Sequence, residues 1–207
     1  MPRWDPQAEQ RLRDAAVELF LELGYDNVTV TQIAERAGLT RRTFSRYFTD
    51  KRDVLFAGSE ELPPALARAV LDADPSLGPF DALINGLSEV GSAMADRVAS
   101  LAPQRRAIIA GSPELQERGR TKFAEVSDAL CAALARRGSD PVHARLLADV
   151  GVAIFQSGFN RWVDDPAART LAQRITEAAN QLRTAATHDR AHGHPHPSGH
   201  PHPSDHP

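Results

Sequence analysis

Cysteine is nearly absent from this chain of 207 residues, and several other features that would mark particular protein classes are missing too. The single cysteine, Cys131, excludes an internal disulfide and suits a reducing compartment. Aromatic residues make up only 6% of the chain and no sustained alternation of β-branched residues occurs, which favours an all-α fold. No apolar run approaches the length needed to span a membrane, and the first residues are too polar for a signal peptide. We therefore predict a cytoplasmic all-α protein without a membrane segment.

Residue groupings typical of catalysis are also missing from the sequence. There is no Ser/His/Asp grouping, no phosphate-binding loop and no ordered Cys/His cluster. His143 is the only histidine before residue 188, and it has no evident partner. Neighbouring acids such as Glu60 and Glu61 have the pattern of a solvated helix surface. The sequence thus predicts neither an enzyme nor a bound cofactor.

The most informative stretch that is present runs from Thr29 to Lys51. Thr29 and Gln32 have the spacing of a capping box, so they predict the start of a short helix. Gly38 is suited to end that helix in a left-handed conformation, and Thr40 can cap a second one. Two short helices joined by a tight turn are typical of a helix-turn-helix, whose second helix enters the major groove of DNA.

Positive charge is concentrated in the same stretch. Residues 36–52 carry six cations and one acid, although residues 1–56 as a whole balance nine cations with nine acids and the chain has a net charge of −3. Such a local concentration is expected where a phosphate backbone binds. Arginine also suits base recognition because its planar fork can bond two acceptors on guanine. The six cations are Arg36, Arg41, Arg42, Arg46, Lys51 and Arg52.

The segment from Leu12 to Phe56 resembles the DNA-binding domain of the TetR family of bacterial repressors. The matching stretches read AAVELFLELGYDNVTV, TVTQIAERAGLT and RRTFSRYFTDKRDVLF. The resemblance implies base contacts from three arginines, phosphate contacts from two threonines and a tyrosine, and a phosphate-binding lysine. Ser45 stands where the family often has tyrosine, so one aromatic backbone contact is expected to be missing. The candidate DNA-binding residues are Thr29, Thr40, Arg41, Arg42, Thr43, Ser45, Arg46, Tyr47 and Lys51.

The remaining pattern predicts about nine helices in two domains and a tail. We expect a three-helix helix-turn-helix domain in residues 1–56 and a helical ligand-binding and dimerisation domain in residues 57–187. Residues 188–207 hold seven of the eight histidines among prolines and are expected to be disordered. They form either an inert solubilising tail or a flexible binding site for zinc, copper or nickel.

Particular residues predict several helix boundaries. A fourth helix is expected from Asp50 to about Asp72, kinked or broken at Pro63 and Pro64. Ser112, Asp140 and Asp165 each precede a proline, which predicts three further helix starts with an N-cap and a proline in the first turn.

The last two predicted helices carry apolar stripes that either form a dimer interface or are buried within one chain. The resemblance favours a homodimer through these helices, since such proteins pair through a four-helix interface. Two copies would present their reading helices about 34 Å apart, one turn of DNA. The stripe residues are Leu146, Leu147, Val150, Ile154, Phe155, Leu171, Ile175, Ala178, Ala179 and Leu182.

Apolar residues of the preceding helices are candidates for lining a ligand cavity. Gln156 and Asn160 are the informative polar members because they lie four apart near the apolar stripe, where a ligand could satisfy them. Facing solvent or the dimer partner is the alternative for both. The candidate ligand-binding residues are Leu87, Met94, Ile108, Phe123, Phe155, Gln156, Phe159 and Asn160.

The run RRAIIAGSPELQERGRTKFAEV loosely resembles the TetR subgroup with an acyl-CoA-like ligand domain. That resemblance implies an apolar tunnel for an acyl chain, with cations near its mouth for the charged head. The candidates for head-group contacts are Arg105, Arg106, Arg118, Arg120 and Lys122, although surface solvation explains these residues equally well.

These patterns predict a repressor that binds a palindromic operator as a homodimer and is released by a small apolar, acyl-CoA-like effector. A metal-responsive sensor that uses the histidine-rich tail is one alternative. A multidrug-binding regulator is another, and it would need acidic or aromatic residues in its pocket. Deleting residues 188–207 distinguishes the metal sensor, because only that reading predicts loss of a metal response.

Overall fold

The computed structural model describes residues 6–188, and within them the chain forms ten α-helices, two short 3₁₀ turns and no strand. The all-α prediction is confirmed, and the histidine-rich tail lies outside the described residues apart from the backbone of its first position. The helices are α1 (Pro6–Leu23), α2 (Val30–Arg36), α3 (Arg41–Tyr47), α4 (Asp53–Phe56), α5 (Leu62–Asp72), α6 (Pro79–Val98), α7 (Ala102–Ala110), α8 (Pro113–Arg136), α9 (Pro141–Asp164) and α10 (Leu171–His188), with 3₁₀ turns at Tyr25–Asn27 and Ser59–Glu61.

Two of the three helix starts predicted from a residue before proline are confirmed. The side chains of Ser112 and Asp140 accept hydrogen bonds from backbone N–H groups in the first turns of α8 and α9. The third prediction is wrong, because Asp165 accepts from the N–H of Ala168 within a turn and α10 begins only at Leu171. The start of α10 is instead a capping box between Thr170 and Gln173, the same pairing that starts α2.

The predicted fourth helix is two helices, which raises the number from nine to ten. The break that we expected exists, but it lies at Ala57 and Gly58 and not at the prolines. Gly58 has a φ of 77°, a left-handed conformation that costs glycine nothing. Pro63 and Pro64 lie in the first turn of α5, where the missing N–H groups have no helical partner to lose.

Buried side chains form two clusters, and α7 contributes to both. The first cluster joins α1 to α4 around residues such as Leu12 and Phe44, and it includes Ile108 of α7 and Leu115 of α8. The second cluster joins α5, α6, α8, α9 and α10, and it includes Ala102 of α7. Helix α7 therefore connects the helix-turn-helix region with the rest of the molecule.

Helices α6, α9 and α10 meet through two glycines that face Ile175. A Cβ atom placed on Gly158 would lie 2.9 Å from the Cα of Ile175, and one on Gly91 would lie 2.8 Å from its Cδ1. Both distances are too short for real contacts; the Ile175 side chain could shift away from Gly91, but its backbone against Gly158 requires glycine there. Ile175 is consequently fully buried between α6 and α9.

None of the helices in residues 6–188 combines the length and the apolar composition that crossing a bilayer requires.

Candidate nucleic-acid interface and ligand cavity

Helices α2 and α3 form the helix-turn-helix that the sequence predicts. The hydroxyl of Thr29 accepts from the N–H of Gln32, and the Oε1 of Gln32 accepts from the N–H of Thr29 at 2.8 Å, which completes the capping box. Gly38 follows α2 with a φ of 65°, and Thr40 caps α3 by accepting from the N–H of Thr43 at 3.1 Å. Thr29, Thr40 and Thr43 therefore have a structural role at the starts of the two helices, in addition to any contact with DNA.

The turn between the two helices is held from α1. The Nη2 of Arg11 donates to the carbonyl of Ala37, and also to that of Gly38 at 3.3 Å. Phe44 and Phe48 anchor the inner face of α3 in the first cluster, with ring centroids 5.4 Å apart. The orientation of α3 is therefore fixed by contacts on its buried side.

Two of the six cations in residues 36–52 are neutralised within the chain. Arg36 forms ion pairs with Glu18 and Glu22 of α1, and these hydrogen bonds lower the pKa of Glu22. Arg52 pairs with Asp50 and, at 2.9 Å, with Glu114 of α8. Both arginines therefore tie α2 and α4 to neighbouring helices.

Three arginines of α3 remain. Within residues 6–188, Arg41, Arg42 and Arg46 have no acidic partner, and all three are exposed. Arg46 donates to the hydroxyl of Tyr47 at 3.0 Å and lies 4.8 Å from the centre of its ring. Ser45 is exposed on the same helix. The unneutralised charge of the helix-turn-helix is thus concentrated on the outer face of α3.

Lys51 is placed differently from what the resemblance implies. Its Nζ donates to the carbonyls of Tyr25 at 2.7 Å, Val28 at 3.0 Å and Asp26 at 3.4 Å, and it lies 4.3 Å from the centre of the Tyr25 ring. Since an ammonium has three N–H bonds, a phosphate would have to compete with these carbonyls. No sequence pattern indicates this attachment, because its acceptors are backbone atoms.

We expect Lys51→Ala to lower the free energy of unfolding by about 1–3 kcal/mol, because three carbonyls lose a charged donor. Urea titration followed by circular dichroism measures this. Lys122→Ala is the matched control, since Lys122 pairs only with Glu125 on the same helix and should change stability by about 0.5 kcal/mol or less. If Lys51→Ala keeps wild-type stability but reduces the salt dependence of DNA binding by about one unit, Lys51 is a phosphate contact and not a structural clamp.

A cavity of about 570 Å³ lies where the α4–α5 junction meets α6, α7, α8 and α9. Its size is within the range of about 300–1,000 Å³ that is usual for small-molecule sites. The rings of Phe155 and Phe159 stack with centroids 6.4 Å apart, and both line it. The structure brings six candidate ligand-binding residues to this cavity: Met94, Phe123, Phe155, Gln156, Phe159 and Asn160.

Leu87 and Ile108 were also predicted to bind the ligand, but neither of them lines the cavity. Leu87 is completely buried in the second cluster, where it packs as core. Ile108 points the other way along α7 and belongs to the first cluster. Apolar character alone could not separate such core residues from lining residues. Asn160 is exposed, so it does not need a ligand to satisfy a buried amide.

Of the five cations predicted to contact a ligand head group, two line the cavity and three do not. Arg118, Arg120 and Lys122 do not line the cavity, and they pair with Asp53, Glu117 and Glu125 respectively. Arg105 and Arg106 do line it. Arg106 is held by Asp164 and by the carbonyl of Asn160, whereas Arg105 has no acidic partner in the described residues. Four polar lining residues were missed by sequence reasoning: Arg13, Ser59, Glu61 and Arg97.

Most of the apolar stripe residues of α9 and α10 are buried within the chain. Leu171 and Ile175 are fully buried, and Ile154, Phe155 and Ala179 are nearly so. The exceptions are Val150, which is half-buried, and Leu146 and Leu182, which are 60% and 42% exposed; Val142, also on α9, is 79% exposed. The surface left for a partner is therefore narrower than the stripes suggest.

Comparisons with known proteins agree with this architecture. Residues 12–57 match the profile described as bacterial regulatory proteins of the TetR family, and residues 77–187 match the MftR C-terminal domain. The transcriptional regulator BetI of Escherichia coli (strain K12 / DH10B) is 38% identical over 74 residues, which cover 35% of this chain and 38% of BetI. The match thus spans well under half the length of these curated relatives.

Solved structures resemble the chain over most of its length. The SmeT–triclosan complex, whose protein is a repressor from Stenotrophomonas maltophilia, covers 86% of this chain and 90% of its own, with 19% identity and a TM-score of 0.61. Thermus thermophilus FadR bound to lauroyl-CoA covers 92% of this chain and all of its own, with 23% identity and a TM-score of 0.52. At such identities the likeness concerns the fold. With a matched helix-turn-helix and a C-terminal profile covering more than half of the sequence, the chain belongs to the TetR family of transcriptional regulators.

Proposed function

We propose that this protein is a ligand-responsive repressor that binds a palindromic operator as a homodimer. The observation that carries the proposal is the set of exposed arginines on α3, Arg41, Arg42 and Arg46, which have no acidic partner among residues 6–188. A helix fixed on its inner face, with unneutralised guanidinium groups outside, suits the major groove. Thr40, Thr43, Ser45 and Tyr47 lie on the same helix or its cap and are proposed to contact the phosphate backbone.

The proposed division assigns DNA reading to residues 1–56 and ligand binding with dimerisation to residues 57–187. Ile108 and Leu115 come from the second segment but pack in the core of the first. The two parts therefore share a boundary through α7 and the start of α8. A displacement of α7 would therefore shift the helices that hold α3 in position.

Dimerisation is proposed through the open faces of α9 and α10. Val142, Leu146 and Leu182 are large apolar side chains that one chain leaves exposed. Leucine and valine side chains gain about 1.5–3 kcal/mol when fully buried, so pairing these faces is favourable. Two reading helices would then be held at a fixed separation, as a palindromic site requires.

The effector is proposed to occupy the 570 Å³ cavity, in contact with Met94, Phe123, Phe155, Gln156, Phe159 and Asn160. The structures of SmeT with triclosan and of FadR with lauroyl-CoA support an apolar ligand. The cavity wall includes Phe56 and Gly58 of the α4–α5 junction and Arg13 of α1. A ligand that binds better when these elements are displaced would shift the population away from the DNA-binding arrangement.

A multidrug-type pocket for cations is not favoured. The lining includes the aromatic residues that such a regulator would need, four phenylalanines, but it also carries four arginines against one glutamate, Glu61. This excess of positive charge disfavours cationic compounds at neutral pH.

The proposal is tested by fluorescence anisotropy with a palindromic duplex from upstream of the protein's own gene and a scrambled duplex of equal length. We expect binding to the palindrome to be tighter by a factor of about 10³ or more at physiological salt. Dodecanoate, used as the apolar probe, should weaken binding to the palindrome. Equal affinity for both duplexes would contradict the proposed function.

A further inference from the structure

The cavity wall contains a guanidinium that lacks a counter-ion. The Nε of Arg105 is shut off from solvent and has no hydrogen-bond partner, although the side chain as a whole keeps some exposure. Its guanidinium lies 5.4 Å from the centre of the Phe56 ring, which gives only a weak cation–π contact. A buried donor without an acceptor costs free energy, so an acceptor placed beside the Nε of Arg105 is stabilising.

Two further polar groups of the same wall lack partners. The Oγ of Ser59 is buried without a hydrogen bond, and Arg13 has no acidic partner in the described part of the chain. The other two arginines of the lining are already paired, Arg97 with Glu61 at 3.8 Å and Arg106 with Asp164. The charged or buried polar groups of the cavity wall that lack a partner within residues 6–188 are therefore those of Arg13, Ser59 and Arg105.

Arg13 and Arg105 repel one another across this wall. Burial, and in second place the charge of Arg13, lowers the pKa of Arg105 to about 10. A negative charge between the two groups would remove the repulsion and supply the missing acceptor. Carboxylates suit this role because their two oxygens can accept from a guanidinium in parallel.

We infer that the effector of the proposed repressor is an amphiphilic carboxylate, an apolar chain that ends in a free acid. Its carboxylate lies inside the cavity, against Arg105 and Arg13 and within reach of Ser59. Its chain runs along the apolar part of the wall, which includes Met94 and Phe123. This inference rests on the proposed function for the response and on the unpaired groups for the ligand class.

A methyl ester fits these groups less well than the free acid does. The ester carbonyl is neutral, so both guanidinium charges would stay without a counter-ion. A fatty alcohol likewise offers a hydroxyl and no charge. The order of affinities among ligands with the same chain therefore reports on the head group.

The carboxylate also links two parts of the protein. Arg13 belongs to α1 and Arg105 to α7, so an anion bound to both joins a helix of the DNA-reading segment to the connecting helix. Helix α7 carries Ile108 into the core of the reading segment. Occupation of the head-group site is thus coupled to the position of α1.

The test is isothermal titration calorimetry of the full chain with dodecanoate, 1-dodecanol and methyl dodecanoate, each below its solubility or micelle limit. We expect dodecanoate to bind at least ten times more tightly than either of the others. Arg105→Met should reduce dodecanoate affinity at least tenfold and leave 1-dodecanol affinity within threefold. Arg120→Met is the matched control, because Arg120 pairs with Glu117 away from the cavity, and it should preserve the preference.

Thermal unfolding of the ligand-free variants separates a binding role from a structural one. Since methionine removes an uncompensated charge, the Tm of Arg105→Met should equal or exceed that of the wild type. A lower Tm with loss of both ligands would mark Arg105 as structural and overturn the inference. The inference would also be overturned if methyl dodecanoate or 1-dodecanol bound the wild type as tightly as dodecanoate does. If one of those neutral-headed probes releases the operator, the proposed repressor function stands while the carboxylate is rejected.

Discussion

Replacing Leu146 and Leu182 together with glutamate is expected to produce a monomer that loses most of its affinity for the operator. Both leucines are exposed on the faces of α9 and α10 that one chain leaves uncovered. Four carboxylates would meet in the proposed interface, where burial of unpaired charge is costly. Without dimerisation each half-site binds alone, and the affinity gained from linked binding, about 10²–10⁴-fold, is lost. Light scattering after size exclusion gives the mass, and anisotropy gives the affinity.

Leu21→Glu is the matched control for this double variant. Leu21 is an exposed leucine on α1, 52% accessible, and lies outside the proposed interface. The control should remain a dimer. A double variant that is still dimeric would place the interface elsewhere on the surface.

The second large effect is expected from Arg42. Arg42→Ala should cost about 1–3 kcal/mol on the operator, because a guanidinium that bonds two acceptors of guanine is lost, and clearly less on random DNA. Competition binding against both duplexes at one salt concentration measures the difference. Arg42→Lys should keep most of the affinity for random DNA while losing discrimination, since lysine retains the charge without the planar fork.

Arg68→Ala removes the same charge from an exposed position on α5 and should leave both affinities nearly unchanged. If Arg42→Ala weakens operator and random DNA equally, Arg42 contacts phosphate and reads no base. In that case Arg41 and Arg46 become the remaining candidates for base recognition.

Local signals predicted the helix-turn-helix well because short-range chemistry determines it. The capping box at Thr29, the left-handed Gly38 and the cap at Thr40 all act within a few residues. The same kind of signal at Thr170 and Gln173 was present in the sequence and outweighs the Asp165-Pro166 pair that we preferred. A reciprocal box satisfies two N–H groups, so it is the stronger of the two indications.

The cavity could be predicted only in part, since its composition depends on which helices meet. Met94, Phe123 and Phe155 share the apolar character of Leu87, and only packing separates lining from core. Arg13 could not be predicted as a lining residue because it lies on α1, more than 40 residues before the next residue of the cavity wall, Phe56. The hydrogen bonds of Lys51 to three carbonyls could not be predicted either, because every residue has a backbone carbonyl and no side-chain type marks these three.

The seating of Ile175 against Gly91 and Gly158 limits how this protein can respond to an effector. With no space for even one methyl group between Gly158 and the backbone of Ile175, α9 and α10 cannot slide past each other without first separating. We therefore expect these two helices to move as one unit. The left-handed Gly58, which precedes the 3₁₀ turn before α5, is a position where the chain can bend instead. Alanine would be strained at this positive φ, so the junction between α4 and α5 depends on glycine there.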